Sequence, residues 1–184
     1  MLKKFIPDYY FKSVYDIPYD KLYEGGIRLI LTDLDNTLIS YNEAMPNEKL
    51  FELKKKIEGM GFEFILVSNS KKARVDNFAK AFDIPYIKFA TKPLKRGIKK
   101  AIRCIASKKY NKNEIILLGD QLMTDVLGGK RCKINVALIN PIDKTSDIKS
   151  TRINRGLEKF FLRRIKKKYP AIYDERLLEF GGEL

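Results

Sequence analysis

The chain has 184 residues, enough for one well-packed domain with extensions and too few for two full enzymatic ones. It carries 37 Lys and Arg against 23 Asp and Glu, a net charge of +14 that predicts attraction to phosphates, nucleic acid or anionic lipid. There is no histidine, which excludes Ser-His-Asp and Cys-His catalysis and leaves zinc without its usual imidazole ligands.

Residues 1–25 begin with lysines, but Pro7, Asp8 and scattered tyrosines interrupt them before an apolar run develops, so no signal peptide is expected. Aromatics such as Phe5, Tyr9, Phe11 and Tyr19 suit either the edge of a core or a headgroup interface; core packing is the expected role. Apolar runs at 28–33, 62–68, 86–90, Ile115–Gly119 and 134–140 read as buried strands. Between them, Leu50, Leu53, Ile57 and Met60, then Val75, Phe78, Ala79 and Phe82, then Leu94, Ile98, Ala101, Ile102 and Ile105 recur at helical spacing. Pro46 and Pro93 suit first turns, Ser70 an N-cap, and Gly128-Gly129 the end of a short helix after Thr124. Cys104 and Cys132 lie far apart in apolar or helical contexts and read as reduced, buried thiols.

This alternation predicts a parallel, doubly wound, Rossmann-like α/β fold, a three-layer sandwich over residues 26–142. Residues 1–25 form an N-terminal extension packed on it, and 143–184 a basic C-terminal extension. No run approaches the roughly 18–20 apolar residues that span a bilayer, so a cytoplasmic protein, at most peripheral on the membrane, is expected.

In such sheets ligands bind beyond the carboxyl ends of the strands. The first predicted strand ends in Asp33 and Asp35, the second in Ser68-Asn69-Ser70 and the fourth in Gly119-Asp120, with Asp125 five residues on; Lys92 precedes the helix at Pro93. Each has a plainer account: a solvated strand end, helix caps, one more surface lysine. Those accounts explain the four-fold coincidence badly. Taken together the residues suit phosphoryl transfer, in which Asp33 attacks phosphorus and Asp35 handles the proton. A carboxylate nears a phosphate dianion only if the charge is screened, so Mg²⁺ is expected. Asp33 and Asp120 are its best ligands, with Asp125 directly or through water and the backbone carbonyl of Asp35 as a further oxygen. Thr37, Ser68, Asn69 and Lys92 are the expected substrate contacts.

The same residues carry a resemblance. Asp33-Leu34-Asp35-Asn36-Thr37-Leu38, Ser68, Lys92-Pro93, and Gly119-Asp120 with Asp125 resemble the four motifs of the haloacid dehalogenase-like (HAD) phosphohydrolases. Pro7-Asp8-Tyr9-Tyr10, the run from Gly119 through Gly129 and Thr151-Arg152-Ile153-Asn154-Arg155 resemble the YqeG-type branch of subfamily IIIA, whose relatives include phosphatidylglycerophosphate (PGP) phosphatases. The resemblance implies Asp33 as nucleophile, Asp35 as general acid/base, Ser68 and Lys92 on the phosphoryl group, and Asp120 with Asp125 on Mg²⁺. One helix fills each gap between the early motifs, so no cap domain is expected. An uncovered site suits a phosphate carried on something large, such as a phospholipid.

Residues 144–168 hold ten basic and two acidic residues, with Ile153, Leu157, Phe160, Phe161, Ile165 and Tyr169 at helical spacing. This amphipathic helix either docks on the core or lies on an anionic membrane. Two other functions compete with a phosphatase: a nucleic-acid or ribosome-associated binding protein, favoured by charge, and a receiver-like phospho-aspartate switch.

Overall fold

The structure, a computed structural model, describes residues 2–145 and 149–182; Met1, 146–148 and 183–184, which fall in the two expected extensions, lie outside the described residues. Among the described residues six parallel strands form one sheet. In chain order the main elements are β1 (Tyr9–Phe11), α1 (Tyr19–Glu24), β2 (Leu29–Thr32), α2 (Glu48–Gly59), β3 (Glu63–Val67), α3 (Ala73–Ala81) and β4 (Tyr86–Ile87). There follow α4 (Lys95–Lys100), β5 (Ile115–Gly119), α5 (Leu127–Cys132), β6 (Asn135–Ile139), α6 (Lys149–Lys168), α7 (Pro170–Arg176) and α8 (Leu178–Gly181). The strand order is β1-β6-β5-β2-β3-β4. The order in which strands are added therefore reverses between β2 and β5, which opens a crevice beyond their carboxyl ends.

Strand alternation divides the core into layers. Ile30, Phe64, Leu66, Ile116 and Leu118 pack under α1, α2 and α3 with Leu50, Ile57 and Phe78. Leu29, Leu31, Ile65 and Leu117 face the other way, against Ile98 and Ala101. Val136 and Leu138 meet Leu162, Ile165, Tyr173 and Leu177 of α6 to α8, together with Phe5 and Ile6. This is the expected three-layer α/β sandwich, without a cap domain: residues 33–47 and 68–72 are loops with no further domain in them. No helix among the described residues is long and apolar enough to cross a membrane.

Several local expectations need correction. Strand β1 was not expected; it pairs with β6 because Asp8 donates its N–H to Val136 O at 2.9 Å and accepts Val136 N–H at 2.8 Å, and Lys130 ion-pairs with its carboxylate. The strand expected at 86–90 stops at Ile87, since Phe89 and Thr91 take the left-handed conformation (φ 52° and 58°). Pro46 and Pro93 precede the N-caps Asn47 and Leu94 instead of entering the first turns. Gly128 and Gly129 lie inside α5, not at its end; a Cβ on Gly129 would meet Val136 Cγ2 at 2.4 Å, so glycine lets the helix lie against β6. Lys133 (φ 62°) ends α5 instead. Cys132 is buried, but Cys104 is exposed. In α6 the buried apolar side chains among the described residues are Leu162 and Ile165, whereas Ile153, Leu157 and Phe160, expected on the same stripe, face solvent.

Candidate active site

The floor of the crevice is built where β2 and β5 run side by side, Thr32 registered with Leu118. Asp33 donates its N–H to Leu118 O at 2.9 Å, which fastens it to the end of β5. The chain then folds back tightly: Thr37, Leu38 and Ile39 all direct N–H groups at Leu34 O, and Asn36 takes φ 61°. This turn brings Asp35 back beside Asp33 at the wall of a cavity of about 460 Å³ that both line. At the end of β5, Asp120 and Asp125 are wholly buried. Gly119 makes room for Asp125, because a Cβ there would stand 2.2 Å from Asp125 Cγ.

Lys92 is 4 % exposed, with Nζ 2.8 Å from Asp33 Oδ1 and 2.7 Å from Asp125 Oδ1. Burial by itself would lower its pKa, but Asp125 and Asp33 outweigh burial and raise it, so the ammonium persists. Burial pushes the Asp33 carboxyl up to about 7; Lys92 opposes the shift, while Asp125 and Asp35 add to it. Burial likewise raises Asp120 well above the carboxylate range against the pull of Arg155.

The ligand oxygens of Asp33, Asp120 and Asp125 lie within 4.8 Å of one another, and Asp120 Oδ1 has no hydrogen-bond partner among the described residues. Around them, among the described residues, Asp33, Asp35, Asp120, Asp125 and Glu158 ion-pair with Arg74, Lys92 and Arg155. An all-oxygen set of buried carboxylates with an unpartnered oxygen fits a hard divalent cation.

Other expected residues are placed differently. Ser68 and Thr37 are buried beneath the cavity and do not line it; Ser68 Oγ accepts the Ser70 N–H at 3.1 Å. Ser70 lines the cavity and accepts the Lys72 N–H, but it stands three residues before α3 begins, and the N-cap Lys72 gives the helix no side-chain cap. Asn69 lines the cavity too, but both ends of its amide hold the backbone of Lys92, at 2.9 Å to the carbonyl and 2.7 Å from the N–H.

Two arginines escaped sequence reading. Arg74 of α3 ion-pairs with Asp35 and donates to Ser40 O and Glu43 O, both at 2.6 Å. Arg155 of α6 ion-pairs with Asp120, donates to Asp120 O at 2.8 Å and to Glu158 Oε2 at 3.2 Å, while Glu158 Oε1 accepts the Leu122 N–H at 2.6 Å. Arg155 lies in the stretch singled out by the family resemblance; Arg74 had no signal beyond being one basic residue among many.

A family model described as "Mitochondrial PGP phosphatase" matches residues 2–143. The curated "Probable phosphatase YqeG" of Bacillus subtilis (strain 168) is 37% identical over 176 residues, covering 95% of this chain and 100% of that protein. The chain belongs to this PGP phosphatase family. Among solved structures, a haloacid dehalogenase-like hydrolase from Brucella suis 1330 superposes with a TM-score of 0.51 at 13% identity, covering 70% of this chain and 94% of that one. An uncharacterized protein from Listeria monocytogenes serotype 4b gives 0.50 at 13% identity, with 68% and 88% covered. At such identity the likeness shows the fold, which is the HAD-like one expected from the four motifs. The chain is therefore a phosphatase of the YqeG type. The family match ends before α6, yet α6 supplies Arg155 to Asp120.

Proposed function

We propose that the protein is a Mg²⁺-dependent phosphomonoesterase that works through an aspartyl-phosphate and takes its phosphate from a phospholipid, with PGP as the preferred substrate. The observation that carries this reading is the convergence of Asp33, Asp120 and Asp125 around Lys92 at the crevice. Asp33, Asp120 and Asp125 would hold Mg²⁺, which screens the substrate phosphate from the carboxylates around it. A carboxylate oxygen of Asp33 attacks phosphorus, the P–O bond to the alcohol breaks, and Asp35 gives the departing oxygen a proton. Water then attacks the acyl phosphate while Asp35 takes its proton, releasing inorganic phosphate and regenerating Asp33. Arg74 ion-pairs with Asp35 and fixes its carboxylate at the cavity wall. Lys92 neutralises the equatorial oxygens, and Asn69 keeps its backbone in place.

The lipid part of the reading rests on the family description and on the cavity's lack of a cap domain. Phosphate release is to be measured from PGP, a sugar phosphate and a nucleotide, each with and without Mg²⁺. PGP is expected to have the highest kcat/KM; equal values for the sugar phosphate would remove the lipid assignment and leave the phosphatase. Asp33→Asn is expected to lower kcat by about 10³-fold or more with its melting curve intact. Residual turnover near the unsubstituted level would refute Asp33 as nucleophile.

A further inference from the structure

Exposed large apolar side chains are common one at a time, so their distribution carries the information. Among the described residues, the loops beyond the carboxyl ends of β2, β4 and β6 raise such side chains into solvent: Met45 (57 % exposed) after β2, Phe89 (52 %) and Leu94 (60 %) after β4, and Ile142 (51 %) after β6. Ile153 (67 %) joins them from α6, between Thr151 and Asn154, which line the cavity. At the opposite ends of β2, β3, β4 and β6 the corresponding residues, Ile27, Phe62, Ile84 and Ile134, are all buried, whereas Tyr9 at the start of β1 is 39 % exposed. Two of them adjoin cavity residues directly, since Phe89 N–H bonds Ser70 O and Leu94 follows Pro93, while Ile142 N–H bonds the carbonyl of Asn36, next in the chain to the cavity residue Asp35. Leu157 and Phe160 continue the line from Ile153 one and two turns along α6.

Cations accompany these tips. Lys71 Nζ lies 3.8 Å from the centre of the Phe89 ring, Lys95 follows Leu94, Lys144 is two residues past Ile142, and Arg164 lies over Phe160 at 4.6 Å. Apolar tips with basic neighbours are the composition that enters an anionic headgroup layer. A protein or a second copy seated on these tips would close the cavity mouth, whereas a bilayer surface delivers substrate to it. We propose that the cavity face rests on an anionic lipid surface, with Phe89, Leu94, Ile142 and Ile153 entering the headgroup region. The proposal deepens the phospholipid-phosphatase reading and rests on it for its purpose, though not for its observations.

The test uses the full chain with vesicles of phosphatidylcholine alone or with phosphatidylglycerol added, followed by co-sedimentation. The unsubstituted protein is expected to bind the anionic vesicles about tenfold better. Leu94→Ser with Ile153→Ser is expected to lower that binding, and hydrolysis of vesicle-borne PGP, by about tenfold, leaving turnover of p-nitrophenyl phosphate within about twofold. The retained soluble activity also reports that the variant is folded. Lys71→Gln with Lys95→Gln is expected to weaken binding several-fold, and Lys109→Gln with Lys112→Gln, at the opposite end of the strands, to leave it unchanged. Equal losses from the two lysine pairs, or undiminished vesicle binding by the Leu94/Ile153 variant, would overturn the proposal. Vesicle binding through this face without hydrolysis of PGP would support the docking surface and count against the substrate reading alone.

Discussion

Around the cavity floor no carboxylate stands by itself: Arg74 meets Asp35, Arg155 meets Asp120, and Lys92 is shared by Asp33 and Asp125. Because Asp33 is pushed to about 7 and Asp120 also upward, the metal-free folded state binds protons that the unfolded chain, with carboxyls near 4, releases. Its stability therefore falls as pH rises through that window. On the proposed ligand set Mg²⁺ would bind the ionised groups, so the rise in Tm on adding MgCl₂ is expected to be larger at pH 7.5 than at pH 5; equal rises would contradict the ligand set. Arg155→Ala leaves a buried Asp120 without its counter-charge and is expected to cost about 3–5 kcal/mol in metal-free protein. Part of that loss should return with Mg²⁺, and Arg155→Lys should recover part of both stability and turnover, since it keeps the charge but loses the paired geometry. Thermal melts in chelator and in Mg²⁺ check both. The aspartates were legible in the sequence because they terminate apolar runs. Their arginine partners were not, since Arg74 and Arg155 reach them from 39 and 35 residues away.

At the scale of elements, the position of Lys92 depends on how closely α4 lies against the loop before it. A Cβ on Gly97 would stand 2.3 Å from Ala90 O and 2.4 Å from Ala90 Cα, a backbone contact that cannot swing aside. Gly97→Ala is expected to destabilise by about 1–3 kcal/mol and to lower turnover, because residues 90–92 must shift. Gly59→Ala, in α2 with nothing within 4 Å of its Cβ, is expected to stabilise by about 0.5–1 kcal/mol and leave turnover unchanged. Denaturant midpoints and kcat for the pair decide whether close packing of α4 matters. The strands from β2 onward were readable within a residue or so, apart from the shortened β4, because burial on both faces yields continuous apolar runs. The three-residue β1 was not: it is defined by its partner β6 and by Asp8, not by a run of its own.

Across the whole molecule, the C-terminal helices complete both core and site. Leu162, Ile165, Tyr173, Leu177 and Phe180 are buried against Phe5, Val136 and Leu138. At about 1.5–3 kcal/mol for each fully buried side chain, their contribution rivals the 5–15 kcal/mol that holds a typical domain together. A chain ended at residue 143, where the family match stops, is expected to lose its cooperative melt and its activity; near-native melting would show that α6 to α8 are dispensable. The sequence by itself determined the alternation of strands and helices, the parallel α/β class and the set of acids and lysine at strand ends, because periodicity and strand termination are local properties of a chain. Only the tertiary structure decided which side of α6 is buried, which arginines answer which carboxylates, and which apolar side chains stay exposed. Those outcomes depend on surfaces brought together from distant parts of the chain, and an amphipathic stripe does not say which of its residues will find a partner.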